Sequence, residues 1–258
     1  MIRFTDVQLY HWVASLLWPL TRVLGLIGSA PLFSQANVPV AEKIGLGMLL
    51  TLVMAPNLPA MPDIDPASLP GLMILTQQLM IGLIMGFIMN IIFMAIDLTA
   101  TLGSLTMGLG FASFYDPRTQ GQSSAINQLF SIMTILVFFQ INGHLLLIAA
   151  LADSFTLLPI GQWPSHDMLW QLANWSGILF TAGLQLSLPI VTALLITNLT
   201  LGILTRAAPQ LNLFGIGFPV TLGVGFVMLL LSLDYLARPL QNLLMQGLTY
   251  TRQIWIHT

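Results

Sequence analysis

The chain has 258 residues, of which 56% are hydrophobic and only 6% charged, with seven Lys or Arg against nine Asp or Glu and no cysteine. A soluble domain is about 25% charged, so this composition excludes a soluble globular enzyme, and its apolar content excludes a disordered chain. The formal net charge of −2 offers no basic field for nucleic acid, and the lack of cysteine removes disulfides, thiol nucleophiles and thiolate metal sites. What remains is a polytopic membrane protein, or a protein buried in a membrane-associated assembly.

The few charges leave long neutral tracts at 23–41, 44–62, 66–96, 98–115, 119–152, 168–205 and 207–233. A bilayer core of roughly 30 Å needs about 20 apolar residues as a helix. In chain order, Trp12–Phe33 is apolar but interrupted by Pro19 and Arg22. Its Gly28-Ser29-Ala30 would suit leader cleavage, but a charge inside the apolar stretch argues against a leader. Ile44–Ala55 covers about half a bilayer before Pro56 and Pro59. Leu69–Ile96, Ile126–Leu151 and Trp170–Leu204 are clear spans, and Leu211–Leu236 is a fourth with Asp234 near its end. Pro239–Thr258 reads as a short amphipathic helix. The pattern predicts an all-α polytopic membrane protein of about six long apolar helices plus shorter broken hairpins. Lys43, Arg118 and Arg206 fall in alternate loops, which would put the Lys43 side in the cytoplasm. Arg238 and Arg252 break that alternation, so some apolar segments need not cross the bilayer.

Residues 103–121, GSLTMGLGFASFYDPRTQG, resist a plain helix. Gly103, Gly108, Gly110 and Gly121 each lower helix propensity by about 1 kcal/mol relative to alanine. Asp116 precedes Pro117, a step that disfavours the α region. Phe111, Phe114 and Tyr115 stand among the small residues. Irregular backbone at membrane depth survives only where protein buries it or a water-filled cavity adjoins it. The segment therefore reads either as a pore loop or plug, or as an ordinary turn outside the membrane.

Other chemistry has little support. A metal-dependent intramembrane protease needs paired histidines with a glutamate, but His11, His144, His166 and His257 are scattered and Glu42 is the lone glutamate. Asp116 has no second aspartate motif, and no spacing links Ser123 or Ser124 to His144 as a base. The residues predict no enzyme, no metal site and no cofactor. Arg22, Asp97 and Arg206 lie in apolar surroundings and are candidate intramembrane or intersubunit charges. Asp234 and Arg238, four apart, are positioned to pair on one helix face. Met73, Met80, Met85, Met89 and Met94 run through one span as packing or as a soft seal, and Gly82-x-x-x-Gly86 permits close helix approach. A secondary transporter or small-molecule channel, using the three charges near the midplane, is the alternative reading.

Several blocks carry a resemblance when taken together in order and spacing. They are Trp18-Pro19-Leu20-Thr21-Arg22-Val23-Leu24, Ala30-Pro31, Met107 through Pro117, Asn142-Gly143-His144, Leu158-Pro159, and Arg206 through Leu211 running into Gly217-Phe218-Pro219. Over essentially its whole length the chain resembles the FliR/SctT family of type III secretion export-gate proteins. The resemblance implies a non-enzymatic subunit of a helical, closed gate in the bacterial inner membrane at the flagellar basal body. One copy would assemble with several copies each of FliP and FliQ, FlhB would associate, and unfolded flagellar subunits would pass through. Part of the assembly would stand above the bilayer on the periplasmic side, the rest meeting membrane lipid. It further implies a FliP-like part over 1–160 and a FliQ-like hairpin part over 161–258. The implied plug falls on Met107, Gly108, Gly110, Phe111, Phe114, Tyr115, Asp116 and Pro117.

Overall fold

The computed structural model describes residues 6–35, 38–59, 61–109, 125–208, 215 and 217–256, with side chains from Val13 onward. Among these residues every long element is helical: α1 (Asp6–Ser29), α2 (Val40–Met54), α3 (Leu69–Thr106), α4 (Ala125–Gln140), α5 (Gly143–Leu157), α6 (Met168–Trp175), α7 (Ile178–Ala207) and α8 (Phe218–Gln253). A 3₁₀ turn, Ala55–Asn57, closes α2 where Pro56 removes an N–H donor. The all-α architecture of a polytopic membrane protein stands as expected.

Among the described residues, fewer than six helices are long and apolar enough to cross a membrane by length and composition. Three helical runs among them meet that length: Leu69–Thr106, Met168–Ala207 and Phe218–Gln253, with Val13–Ser29 a shorter apolar helix. The Ile126–Leu151 tract is a broken pair, because Asn142 adopts a left-handed conformation (φ 54°, ψ 33°) between α4 and α5. Counted as one span, that pair makes four. The tail expected as a separate helix from Pro239 is instead the last part of α8, which runs through Pro239 without ending. Proline costs one backbone bond, and apolar membrane helices tolerate that where neighbours satisfy the freed group.

The chain divides into two compact units that interleave along the sequence: Met1–Ile91 with Asn142–Ser176 and Met245–Thr258, and Ile92–Ile141 with Gly177–Leu244. In the first, α1 and α3 cross at backbone contact. A Cβ on Gly25 would meet the Leu79 carbonyl oxygen at 2.8 Å, one on Gly82 would strike the Arg22 carbonyl, and one on Gly86 would reach the Ala30 nitrogen at 2.7 Å. The weak Gly82-x-x-x-Gly86 signal therefore marks a real crossing. Trp18, Leu26, Ile27, Ile81, Met85, Ile88 and Met89 fill the space around it, each fully buried. The methionine run thus splits, with Met85 and Met89 in the core while Met73, Met80 and Met94 are exposed. The end of α8 docks on the same unit. Tyr250 stacks on Trp175 at 4.3 Å between ring centres, Arg252 pairs with Asp153 at 2.8 Å, and Thr251, Ile254 and Trp255 are buried.

In the second unit the later part of α3 packs against α4 and α7. The Thr99 hydroxyl donates to the Ala95 and Gly183 carbonyls, each at 3.1 Å, and Phe93 meets the Phe138 edge at 6.0 Å. Much of α7 and α8 remains uncovered: Leu199, Leu230 and Leu231 are 67%, 68% and 71% exposed. Apolar surface of that extent needs lipid or protein against it.

Candidate functional site: the end of α3 and a buried arginine

The irregular segment begins where α3 stops. The Met107 N–H donates to the Gly103 carbonyl at 3.0 Å and the Gly108 N–H to Leu105 at 3.0 Å. Gly108 then turns left-handed, with φ +85°. This is a glycine terminus, which satisfies carbonyls that the helix end would orphan. It stops α3 well before Asp116-Pro117, the step expected to do so. Met107 is fully buried. The Thr221 hydroxyl of α8 reaches its carbonyl at 3.4 Å, and a Cβ on Gly225 would lie 2.5 Å from its Cγ. The root of the segment is thereby fixed. Gly110, Phe111, Phe114, Tyr115, Asp116 and Pro117 lie outside the described residues, as do Ser123 and Ser124.

The fixed root carries a prediction. Gly108→Ala forces a Cβ into the left-handed region, at an expected cost of about 1–2 kcal/mol. Gly108→Asn costs less, because Asn tolerates that conformation through local hydrogen bonding. The thermal unfolding midpoint of the purified protein should therefore order wild type, then Asn, then Ala. An alanine variant as stable as wild type would show that the left-handed turn is not required.

The three candidate charges have three different fates. Arg22, on α1, is fully buried, and every described partner of its guanidinium is neutral. Its Nε–H donates to Gln78 Oε1 at 2.8 Å. One terminal nitrogen donates to the Ser154 carbonyl at 2.8 Å and hydroxyl at 3.0 Å, and the other to the Leu158 carbonyl at 3.0 Å. The group lies 4.2 Å from the Phe155 ring centre. Ser154 and Leu158 belong to the last turn and cap of α5, at the negative end of the helix dipole; the Ser154 carbonyl also accepts from the Leu158 N–H at 2.9 Å, whereas the Leu158 carbonyl lies past the helical ladder. The cation is stabilised by a helix terminus and an aromatic face rather than by a carboxylate. The network extends further: Gln78 donates to Gln77 Oε1 at 3.1 Å, and Gln77 holds the backbone of Gly161 and Gln162. Gln77, Gln78 and Ser154 were not singled out in the sequence. The signal available was an adjacent glutamine pair inside the otherwise apolar tract 66–96.

Asp97 is exposed and accepts from Asn127 Nδ2 at 2.7 Å. Arg206 is exposed in the last turn of α7, where a cation complements the helix dipole. The structure does not bring Asp97 and Arg206 together. Asp234 and Arg238, expected to pair, make no ion pair among the described residues, where the pair formed is Arg252–Asp153. Both are exposed, and there an i,i+4 attraction of a few tenths of a kcal/mol hardly offsets side-chain entropy.

Long apolar helices, a close-packed first unit and widely exposed apolar faces define an integral membrane protein built to be covered by lipid or protein. Within that class, residues 13–247 match the family described as Bacterial export proteins, family 1, and the chain belongs to that family. It is 43% identical to flagellar biosynthetic protein FliR of Pectobacterium carotovorum subsp. carotovorum, over 89% of this chain and 88% of that protein. It is 41% identical to the Escherichia coli K12 protein of the same name, over 87% and 86%. Against the FliR of Bacillus subtilis strain 168, identity is 26% over 86% of each chain.

Proposed function

We propose that the chain is a subunit of the flagellar type III secretion export gate in the bacterial inner membrane, and that residues 107–117 plug its pore. Unfolded flagellar proteins would pass through the gate, and the chain itself performs no catalysis. One copy assembles with several copies of FliP and FliQ, with FlhB associated and part of the assembly on the periplasmic side of the bilayer. Residues 1–160 correspond to a FliP-like part and 161–258 to a FliQ-like part. Kinship to proteins named flagellar biosynthetic protein FliR gives the system. The observation that carries the plug is the fixed root. A left-handed Gly108 follows a buried Met107 held by Thr221 and packed against Gly225. The next residues mix small and aromatic side chains, Gly110, Ala112 and Ser113 among Phe111, Phe114 and Tyr115, which can pack tightly across a narrow lumen.

Deletion of Gly110–Pro117 tests this reading. The deletion should leave the complex assembled while raising ion leakage across membranes that contain it. Unchanged leakage in an assembled complex would overturn the plug.

A further inference from the structure

The first unit contains a cavity of about 340 Å³ between α3 and the loop that follows α5. Its floor is apolar, formed by Met80, Ile81 and Ile84. Polar groups gather at the loop side, where Ser165 and His166 line it. The loop is built, not draped. Arg22 holds the Leu158 carbonyl at 3.0 Å, and Gly161, at φ +95°, donates its N–H to Gln77 Oε1 at 3.3 Å. The Gln77 amide holds the Gln162 carbonyl. Gln77 is itself buried and reaches the cavity wall.

We propose that this cavity binds one membrane phospholipid, with an acyl chain on Met80, Ile81 and Ile84 and the headgroup phosphate at Ser165 and His166. Three observations select this occupant. The cavity is amphiphilic, with the polar pair Ser165 and His166 adjacent on the loop, an apolar floor on α3 that has Gln77 at its loop end, and Met168 and Leu169 completing the apolar wall. That floor belongs to a helix long and apolar enough to cross a membrane, and Met80 and Ile84 also line a second cavity of about 410 Å³ containing Leu83 and Phe87. Trp163 on the loop and Trp170 just beyond it are 60% and 70% exposed. Exposed tryptophans of this kind favour the membrane–water interface, which sets the loop at headgroup depth and the floor at acyl depth. A small soluble ligand would leave the floor unused. A partner helix would meet a recess rather than a ridge-and-groove surface. The site is independent of the export reading, because it lies wholly within this chain.

The test is native mass spectrometry of the full chain in detergent, with phosphatidylglycerol added at defined concentration. Wild type should retain one lipid through delipidation. Ser165→Ala with His166→Ala, at a half-buried and an exposed loop position outside the core, should lower occupancy about tenfold, and Ile84→Trp should lower it similarly by filling the floor. Leu72→Trp, an exposed position on α3 outside the cavity, should not lower it. Excess inorganic phosphate should leave the lipid in place. Equal retention by all variants overturns the proposal, and so does displacement by phosphate alone, which would make the site one for a free anion. In the complex extracted with its partner subunits, a photo-crosslinker at position 80 should capture lipid. Capture of a protein there instead also overturns it.

Discussion

Arg22→Ala is expected to be the most damaging side-chain truncation in the protein, lowering unfolding free energy by about 3–5 kcal/mol. The guanidinium makes four hydrogen bonds, to Gln78, to both oxygens of Ser154 and to Leu158. Losing it strands Gln78 Oε1 and the Leu158 carbonyl in a buried site, each at about 1–3 kcal/mol before relaxation, while Ser154 keeps its bonds to Leu158 N and Leu151 O. A cavity beside Phe155 adds to the loss. Arg22→Lys restores the charge but not the planar fork. A single ammonium cannot span Gln78 and both α5 carbonyls together, so lysine should recover less than half of the deficit. Arg22→Met should fall between lysine and alanine, since it fills volume without satisfying any acceptor. Thermal unfolding of the purified chain in detergent gives the readout, with the alanine midpoint about 10 °C below wild type. A drop of less than about 2 °C would mean that water replaces the guanidinium freely, and the network would not be what joins α1 to the end of α5.

Arg22 also shows which parts of the molecule were legible. A cation in an apolar stretch is visible in the sequence, and so is the demand that something satisfy it. What satisfies it was not visible, because two of the four acceptors are backbone carbonyls. Every residue has a carbonyl, and only the end of a helix leaves one free. That α5 ends beside Arg22, 132 and 136 residues along the chain, is a fact of tertiary structure. The opposite error came from Asp234 and Arg238, where spacing alone suggested a pair and exposure removed the reason for one. Helix bounds were misplaced for a related reason. Charge-free tracts measure apolar length, but α3 continues through Asp97 to Thr106, and the neutral tract 119–152 breaks at Asn142. A single exposed carboxylate does not stop a helix, whereas a left-handed residue does. In the 103–121 segment, the glycine content marked where α3 ends, and Gly108 rather than the Asp-Pro step terminates the helix.

The glycines of the α1–α3 crossing should divide sharply from those elsewhere. Gly82→Ala places a methyl group against the Arg22 carbonyl, with Leu26 N at 2.9 Å and Gly25 Cα at 3.0 Å. All three are main-chain atoms, so no rotamer change can relieve the clash and the helices must separate. The expected cost is about 2–3 kcal/mol, and Gly82→Leu should prevent the unit from closing. By contrast, Gly45 on α2 and Gly223 on α8 have open space where a Cβ would go. Alanine there removes unfolded-state freedom and should be neutral or stabilising by up to about 1 kcal/mol. The decisive comparison is the pair Gly25→Ala and Gly82→Ala. Each alone pushes the same two helices apart, so the first substitution opens space that the second then occupies. The double variant should therefore lose less than the sum of the singles, with a coupling of about 1 kcal/mol or more. Additive losses would mean that the two sites relax independently. The side-chain bond from Arg22 to Gln78, one helical turn from Gly82, depends on the same approach. Gly82→Ala should consequently weaken the arginine network as well, and Arg22→Ala should cost less in a Gly82→Ala background than in wild type.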